Sequence, residues 1–287
     1  MVDKVYLNEE SMPLKFQFCK LRAVAPHYHE DQIVIMIVLR GKVKLHAGSL
    51  HRKLGEGEMA FINAGEVYYT EKEIENEIMV VHIKTNDKIY KKSCAFSKSE
   101  CTGLKLNIMA LANIYYMNEL VEEDLYIKAC QKILKIIDDI FAVSVRSLVE
   151  YINIDFQRRL TVADVENATG MNGRSVTAAL KREEFGCFLD CLNYVRCTAA
   201  DRMLLGSKIK VNEIATRNGF SSVRSFIRDF TAYSGRTPLQ QRKFYKEISK
   251  HKFNRIVELP QHYTLQEIRR YVGDLYISMW MEKVSNS

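Results

Sequence analysis

Polar and apolar positions change rhythm twice along this chain. Up to about residue 85 the apolar residues fall in β-branched runs broken by glycine: "DQIVIMIVLRGKVKLHAGSLHRKL" is interrupted at Gly41 and Gly48, and "GEGEMAFINAGEVYYTEKE" leads into "EIMVVHIK". Short strands with glycine punctuation predict a small barrel or sandwich. From Asn86 to Gly103 the periodicity lapses, which predicts a connection. From Leu104 to about Tyr151 the spacing is helical, and Ile133, Ile136, Ile137, Ile140, Val143, Ser144 and Leu148 share one face at steps of three and four. That face requires a partner, either the strands or a second subunit.

Beyond Arg159 the pattern becomes a series of short helices with explicit start signals. Thr161 and Asp164 have the spacing of a capping box, and Asn172 can cap the next helix after a turn at Gly170. "FLDCLNYVRCTAADRMLLGS" is a long amphipathic helix ending at Gly206, and a helix pair follows around Gly219. Thr237 then caps a helix with Pro238 in its first position. Thr264 and Glu267 suggest one more capping box in the tail, ahead of "LQEIRRYVGDLYISMWMEK" and Trp280, with the barrel, the preceding helices or a partner as its packing surface.

Composition narrows the classes. With 287 residues and 47% hydrophobic content the chain can bury two cores. No apolar run reaches the length of a membrane span, and "MVDKVYLNEE" lacks the order of a signal peptide, so a cytoplasmic protein with no membrane partner is expected. Seven cysteines include no CxxC pair; Cys187, Cys191 and Cys197 place at most two thiols on one helical face, so buried free thiols and no metal are expected. Residues 157–250 hold 17 lysines and arginines against 9 acidic residues, which exceeds the whole-chain excess of +7. A basic C-terminal part beside a nearly neutral N-terminal one is a footprint for polyanions.

Two helix-turn-helix units fit the basic part, one over about 162–183 and one over about 210–232, with the long helix between them. In the second, Phe226 and Phe230 share an inward face with Ile214, Ala215 and Phe220, which turns Val223, Arg224, Ile227 and Arg228 outward. Arginine suits an outward recognition face, because its planar fork can donate twice to a guanine edge.

"EIATRNGFSSVRSFIRDFTAYSGRTPLQQRK" resembles the second half of the AraC/XylS transcription-regulator domain, with Ile214, Ala215, Gly219, Phe220, Phe226, Arg228, Phe230, Gly235, Thr237 and Pro238 in its register. Upstream, Gly170, Met171, Lys181, Phe188, Leu192, Arg196, Ala200 and Leu204 stand in register with the first half. The resemblance implies two units reading successive major grooves of double-stranded DNA. It places Arg174, Thr177 and Ala178 of the first recognition helix, and Val223, Arg224 and Arg228 of the second, toward bases. Ala178 replaces a long polar or basic side chain, so the first unit is expected to anchor phosphates through Lys181 and Arg182.

"PHYHEDQ" and "GEGEMAFINAGEVYY" resemble the two cupin motifs in part. His27 and His29 remain, the expected glutamate falls near Gln32 or Ile33, Asn63 replaces the proline and Tyr68 replaces the last histidine. A catalytic metal needs three anchored ligands and an open position, so no metal and no cofactor are expected. His27, His29 and Tyr68 become candidate effector-binding groups, or a polar cluster at the barrel mouth.

The fold class expected is α+β: a cupin-like β-barrel over 1–103, a helical dimerisation and linker segment over 104–155, an all-α double helix-turn-helix domain over 156–245, and a helical extension over 246–287. The function expected is a bacterial, nucleoid-associated transcription regulator, an activator acting with RNA polymerase as a homodimer under a small effector. For that effector the resemblance leaves fatty acid, bicarbonate and sugar open. Richness in Lys, Ile and Asn is similar to the virulence regulators of the family. The competing class is a metal-dependent cupin enzyme with an accessory nucleic-acid module.

Overall fold

A computed structural model describes residues 14–21, 23–71, 75–84, 92–117, 123–140, 146–250 and 256–273. Eight strands come first: β1 (Leu14–Leu21), β2 (Val24–His27), β3 (Gln32–Ala47), β4 (Leu50–Gly55), β5 (Met59–Ile62), β6 (Tyr68–Glu71), β7 (Asn76–Lys84) and β8 (Cys94–Phe96). Helices follow: α1 (Thr102–Met117), α2 (Glu123–Ile140), α3 (Arg146–Asp155), α4 (Val162–Thr169), α5 (Gly173–Arg182), α6 (Phe188–Gly206), α7 (Val211–Arg217), α8 (Val223–Ser234) and α9 (Pro238–Lys250). A short strand, β9 (Ile256–Glu258), and α10 (Gln261–Val272) complete the described chain.

The long strand β3 organises the sheet. Its apolar run is nearly continuous because both faces are covered, and period-two alternation sends its residues to two different cores. Ile33, Ile35, Ile37 and Leu39 face a core shared with α1, α2 and α10, whereas Val34, Met36 and Val38 face the inside of the wrapped sheet with Leu45, Leu54, Ile62 and Ile78. Gly41 makes the bend in β3 possible. It has φ +72°, and a Cβ there would come to 2.0 Å from the Glu75 carbonyl oxygen.

The hydrogen-bonded order is β2-β6-β3-β7-β1-β9, with β4 and β5 also paired to β3 and β8 to β5. Antiparallel β9 takes the outer edge of β1, through Cys19 to Leu21, so β1 does not return to β2. The expected cupin-like barrel is therefore a wrapped sheet that does not close among the described residues. Within the segment expected to be a plain connection, Cys94–Phe96 forms β8 against β5.

The apolar face of α2 finds its partner inside the chain. Tyr126, Ala129, Cys130, Ile133 and Ile137 are buried in the core under the sheet, so strands and α1, not a second subunit, cover that part of the face expected to dimerise. Val143 and Ser144 lie outside the described residues. Leu148 belongs instead to the C-terminal core, with Val149 and Ile152 of α3, Val165, Val176, Leu180, Ile214, Phe226 and Phe230.

The C-terminal extension returns to the N-terminal sheet. Ile268 of α10 is fully buried in the core beside α1. The Tyr263 hydroxyl donates to Glu77 at 2.8 Å, and Arg40 meets Glu267 at 3.1 Å. The capping box expected at Thr264 and Glu267 is absent: α10 is capped at Pro260, four residues earlier, Thr264 is buried and donates to the Pro260 carbonyl at 3.1 Å, and Glu267 is drawn to Arg40. Trp280 lies outside the described residues.

Candidate nucleic-acid interface and effector site

The first helix-turn-helix unit is α4 and α5. Thr161 and Asp164 form the expected capping box, Gly170 ends α4 in the left-handed region, and Asn172 Oδ1 accepts from the Ser175 amide at 2.9 Å to start α5. Val176, Ala179 and Leu180 are buried, which leaves Arg174, Thr177, Ala178, Lys181 and Arg182 exposed on the opposite face. Gly173, Arg174, Thr177, Ala178 and Lys181 line a shallow open concavity. The Thr177 hydroxyl donates to the Gly173 carbonyl at 2.9 Å, so its methyl is the part left to meet a ligand.

The second unit is α7 and α8. Gly219 turns the chain with φ +74° and packs on the backbone of Phe156 and Gln157. Ser222 caps α8, accepting from the Ser225 amide at 3.1 Å. Phe226 and Phe230 are fully buried, while Arg224 and Arg228 are exposed with Val223 half-buried beside them. The two arginines differ in one respect that sequence spacing did not reveal. Arg228 Nε donates to Asp229 at 2.7 Å, and Asp229 also accepts from Asn193 of α6 at 2.9 Å. Asp229 therefore steers Arg228 from the next position, whereas Arg224 has no charged partner among the described residues.

Arg196 holds the two units to the rest of the domain. Buried in α6, it donates from Nε to the Phe156 carbonyl at 2.8 Å and from Nη2 to the Arg158 carbonyl at 3.0 Å. A planar guanidinium can serve two carbonyls at the end of α3 at once.

The candidate effector residues come together at one end of the wrapped sheet. His27 lies opposite Tyr68 in the β2–β6 pairing, with ring centroids 4.1 Å apart. His29 Nε2 is 3.1 Å from the Tyr68 hydroxyl, and its ring stands edge-on to His27 at 5.4 Å. A third histidine joins them: His82 of β7 lies 5.0 Å from His29, and its Nδ1 is buried without a hydrogen-bond partner among the described residues. Its signal in the sequence was a lone polar residue inside "EIMVVHIK", between the buried Val81 and Ile83.

Burial holds all three imidazoles below their ordinary pKa. For His82 burial and repulsion from His29 and His27 push the value down to about 4; for His29 burial and His27 outweigh Asp31. For His27 burial outweighs a 2.8 Å hydrogen bond to the Ala25 carbonyl. The donor set does not fit a metal. Tyr68 and Asn63 stand where the cupin pattern has a ligand and a proline, and no group of three metal-ligating side chains is poised to hold an ion among the described residues. The Tyr68 ring is packed with the apolar side chains that fill the inside of the sheet, and the half-buried His27, His29 and His82 gather around it.

A wrapped sheet with a polar cluster, joined to paired helix-turn-helix units, defines a nucleic-acid-binding regulator with a ligand-binding front half. Two family models match accordingly: residues 20–100 fit an AraC-like ligand binding domain, and residues 165–243 fit a helix-turn-helix domain. The chain belongs to the AraC family. It is 30% identical over 105 residues to the virulence regulon transcriptional activator VirF of Shigella flexneri, which is 37% of each chain. It is 23% identical over 141 residues to the lactose operon transcription activator of Staphylococcus xylosus, over 49% of this chain and 48% of that one. The chain thus spans less than half the length of these curated relatives. Among solved structures, ToxT from Vibrio cholerae O395 aligns over 83% of this chain and 99% of that one, with a TM-score of 0.48 and 12% identity.

Proposed function

We propose that the protein is a sequence-specific DNA-binding transcription activator whose N-terminal sheet receives a small effector. The observation that carries the reading is α8, which buries Phe226 and Phe230 and turns Val223, Arg224 and Arg228 outward from a capped, glycine-turned helix pair. In this reading Arg224 and Arg228 contact base edges, and α5 follows the next groove with Arg174, Thr177 and Ala178 toward bases and Lys181 and Arg182 on phosphates. His27, His29 and Tyr68, joined by His82, form the effector contact at one end of the sheet.

Relatives that activate a virulence regulon and a lactose operon favour activation, and the higher identity of the first favours control of virulence genes. Partners in this reading are double-stranded DNA, RNA polymerase and the effector, in the cytoplasm. A homodimer has to use a surface other than Ile133 and Ile137, which the chain itself covers. No helix among the described residues is long and apolar enough to cross a membrane.

The test is selection of binding sites from genomic fragments by the full-length protein, at two salt concentrations, beside Arg224→Ala. A shared motif that survives the higher salt, and loses preference at particular bases in the variant, is the expected result. Uniform capture that collapses with salt would reduce the C-terminal domain to a polyanion binder and overturn the reading.

A further inference from the structure

The segments that carry the histidine cluster also carry the seam with the DNA-binding helices, on alternate residues. His27 and His29 face the cluster, while Tyr28 between them packs toward Leu205 and Tyr245 and lies under the Arg202 guanidinium at 5.9 Å. Tyr68 faces the cluster, while Tyr69 accepts from Arg236 at 3.2 Å and lies 5.2 Å from the Phe244 ring. The loop 63–67, which joins β5 to β6, is pinned where the Gly65 amide donates to the His29 carbonyl at 2.7 Å. The next residue is Glu66.

Glu66 is fully buried in the seam. Its carboxyl is bonded to the hydroxyls of Tyr194, from α6, and Ser93, and to Asn63 at 3.4 Å. Asp201 of α6 and Tyr233 of α8 also face it, while Arg202 of α6 lies against the neighbouring Gly65, and Arg236, from the turn before α9, and Tyr245 of α9 face Asp201; Lys92 lies 5.8 Å from the Tyr194 ring. None of these cations is within ion-pair distance of it among the described residues. Asp201, buried in the same seam, accepts from Tyr245 at 2.9 Å and repels a charge on Glu66.

We propose that Glu66 is a proton-operated latch between the N-terminal sheet and the DNA-binding helices, closed when the carboxyl is neutral and released when it ionises. A carboxylate in a dry seam without a counter-ion is costly, and separation of the two surfaces returns it to water. The Ser93 and Tyr194 hydroxyls can accept as well as donate, so they satisfy the neutral acid in the closed state. Because Gly65 hangs on His29, an occupant of the histidine cluster acts on the same loop. That link to an effector rests on the function proposed above; the latch itself does not.

Burial holds the Glu66 carboxyl at about 7, against an ordinary value near 4.5, with its hydrogen bonds opposing the rise. The closed state therefore binds the extra proton. Closure is strongest below the ordinary carboxylate range and weakens as pH rises through about 7. One such group changes the closing equilibrium roughly twentyfold between pH 5.5 and 7.5. Asp201, held up to about 7 by the same burial, adds to the slope.

The experiment uses the full chain without DNA or effector. Small-angle scattering and amide exchange over 63–69 and 192–201 are followed from pH 5.5 to 7.5 in the wild type and in Glu66→Gln, which keeps size and removes the charge. The wild type is expected to open and lose protection at the higher pH, and Glu66→Gln to open less, keeping only the part of the response that Asp201 supplies. Equal responses in the two proteins, or a wild-type seam that does not move, would overturn the latch. Should Glu66→Gln fail to fold, Tyr194→Phe removes one donor to the carboxylate and must extend the responsive window upward; an unmoved window is equally fatal. Failure to bind DNA would strike the function proposed above and leave this readout intact.

Discussion

Gly219 lies against Gln157: a Cβ on the glycine would stand 2.5 Å from the Gln157 carbonyl oxygen and 2.7 Å from that of Phe156. The turn of the second helix-turn-helix unit is thus fitted to the backbone that links α3 to α4. Gly219→Ala meets both a left-handed backbone and immovable main chain, whereas Gly235→Ala, at φ +72° with nothing within 4 Å, meets only the first. We expect Gly235→Ala to cost about 1 kcal/mol and Gly219→Ala about 3 kcal/mol or more. Thermal denaturation of the two variants measures the difference, and equal melting temperatures would contradict it.

Arg196→Lys replaces a fork that serves two carbonyls with a point donor that serves one. With the Phe156 or Arg158 carbonyl left unpaired, a loss of roughly 1–3 kcal/mol is expected. Urea unfolding monitored by far-UV circular dichroism checks it.

On DNA, Lys181→Ala and Arg224→Ala should separate. Loss of a phosphate contact weakens all sequences alike and lowers the salt slope by about one, while loss of a base contact relaxes preference at particular positions. Asp229→Ala releases Arg228 from its 2.7 Å partner, and we expect altered preference at the bases Arg228 reads rather than a general loss. Anisotropy titrations over a salt series decide among these patterns.

Acid acts on the histidine cluster with the opposite sign to Glu66. His82 is held at about 4 in the folded chain, below its ordinary 6.5, so the folded state binds fewer protons. Its contribution is present above pH 6.5 and is lost as pH falls toward 4, on the order of 2–3 kcal/mol in all. His82→Gln should flatten the acid side of the stability curve of the full chain, measured by denaturant unfolding between pH 7 and pH 5.

The legible part of this protein was local. Thr161 with Asp164, Asn172 and Thr237 cap helices through bonds that span three residues, and the alternation of Phe226 and Phe230 against Arg224 and Arg228 requires only helical spacing. The double helix-turn-helix units therefore stood where the pattern put them. His27, His29 and Tyr68 were singled out through a degraded motif, and the fold brings all three together. The missed features depend on distant pairings. Nothing in the spacing of "NAGE" announces that Glu66 meets Tyr194, 128 residues later. The face of Ile133 and Ile137 was correctly read as needing a cover, but which cover is decided by tertiary packing. Thr264 misled because a threonine three residues before a glutamate scores as a cap wherever it falls, and here Pro260 had already begun the helix.

Because β9 and α10 complete the sheet that β1 begins, the DNA-binding helices are spliced into the middle of another folding unit. On a ribosome the first core cannot be sealed until the last described helix has left the exit tunnel. The helix-turn-helix core, made from one continuous stretch, can assemble before it. A nascent chain would therefore carry a formed helix-turn-helix core while the N-terminal sheet is still missing an edge.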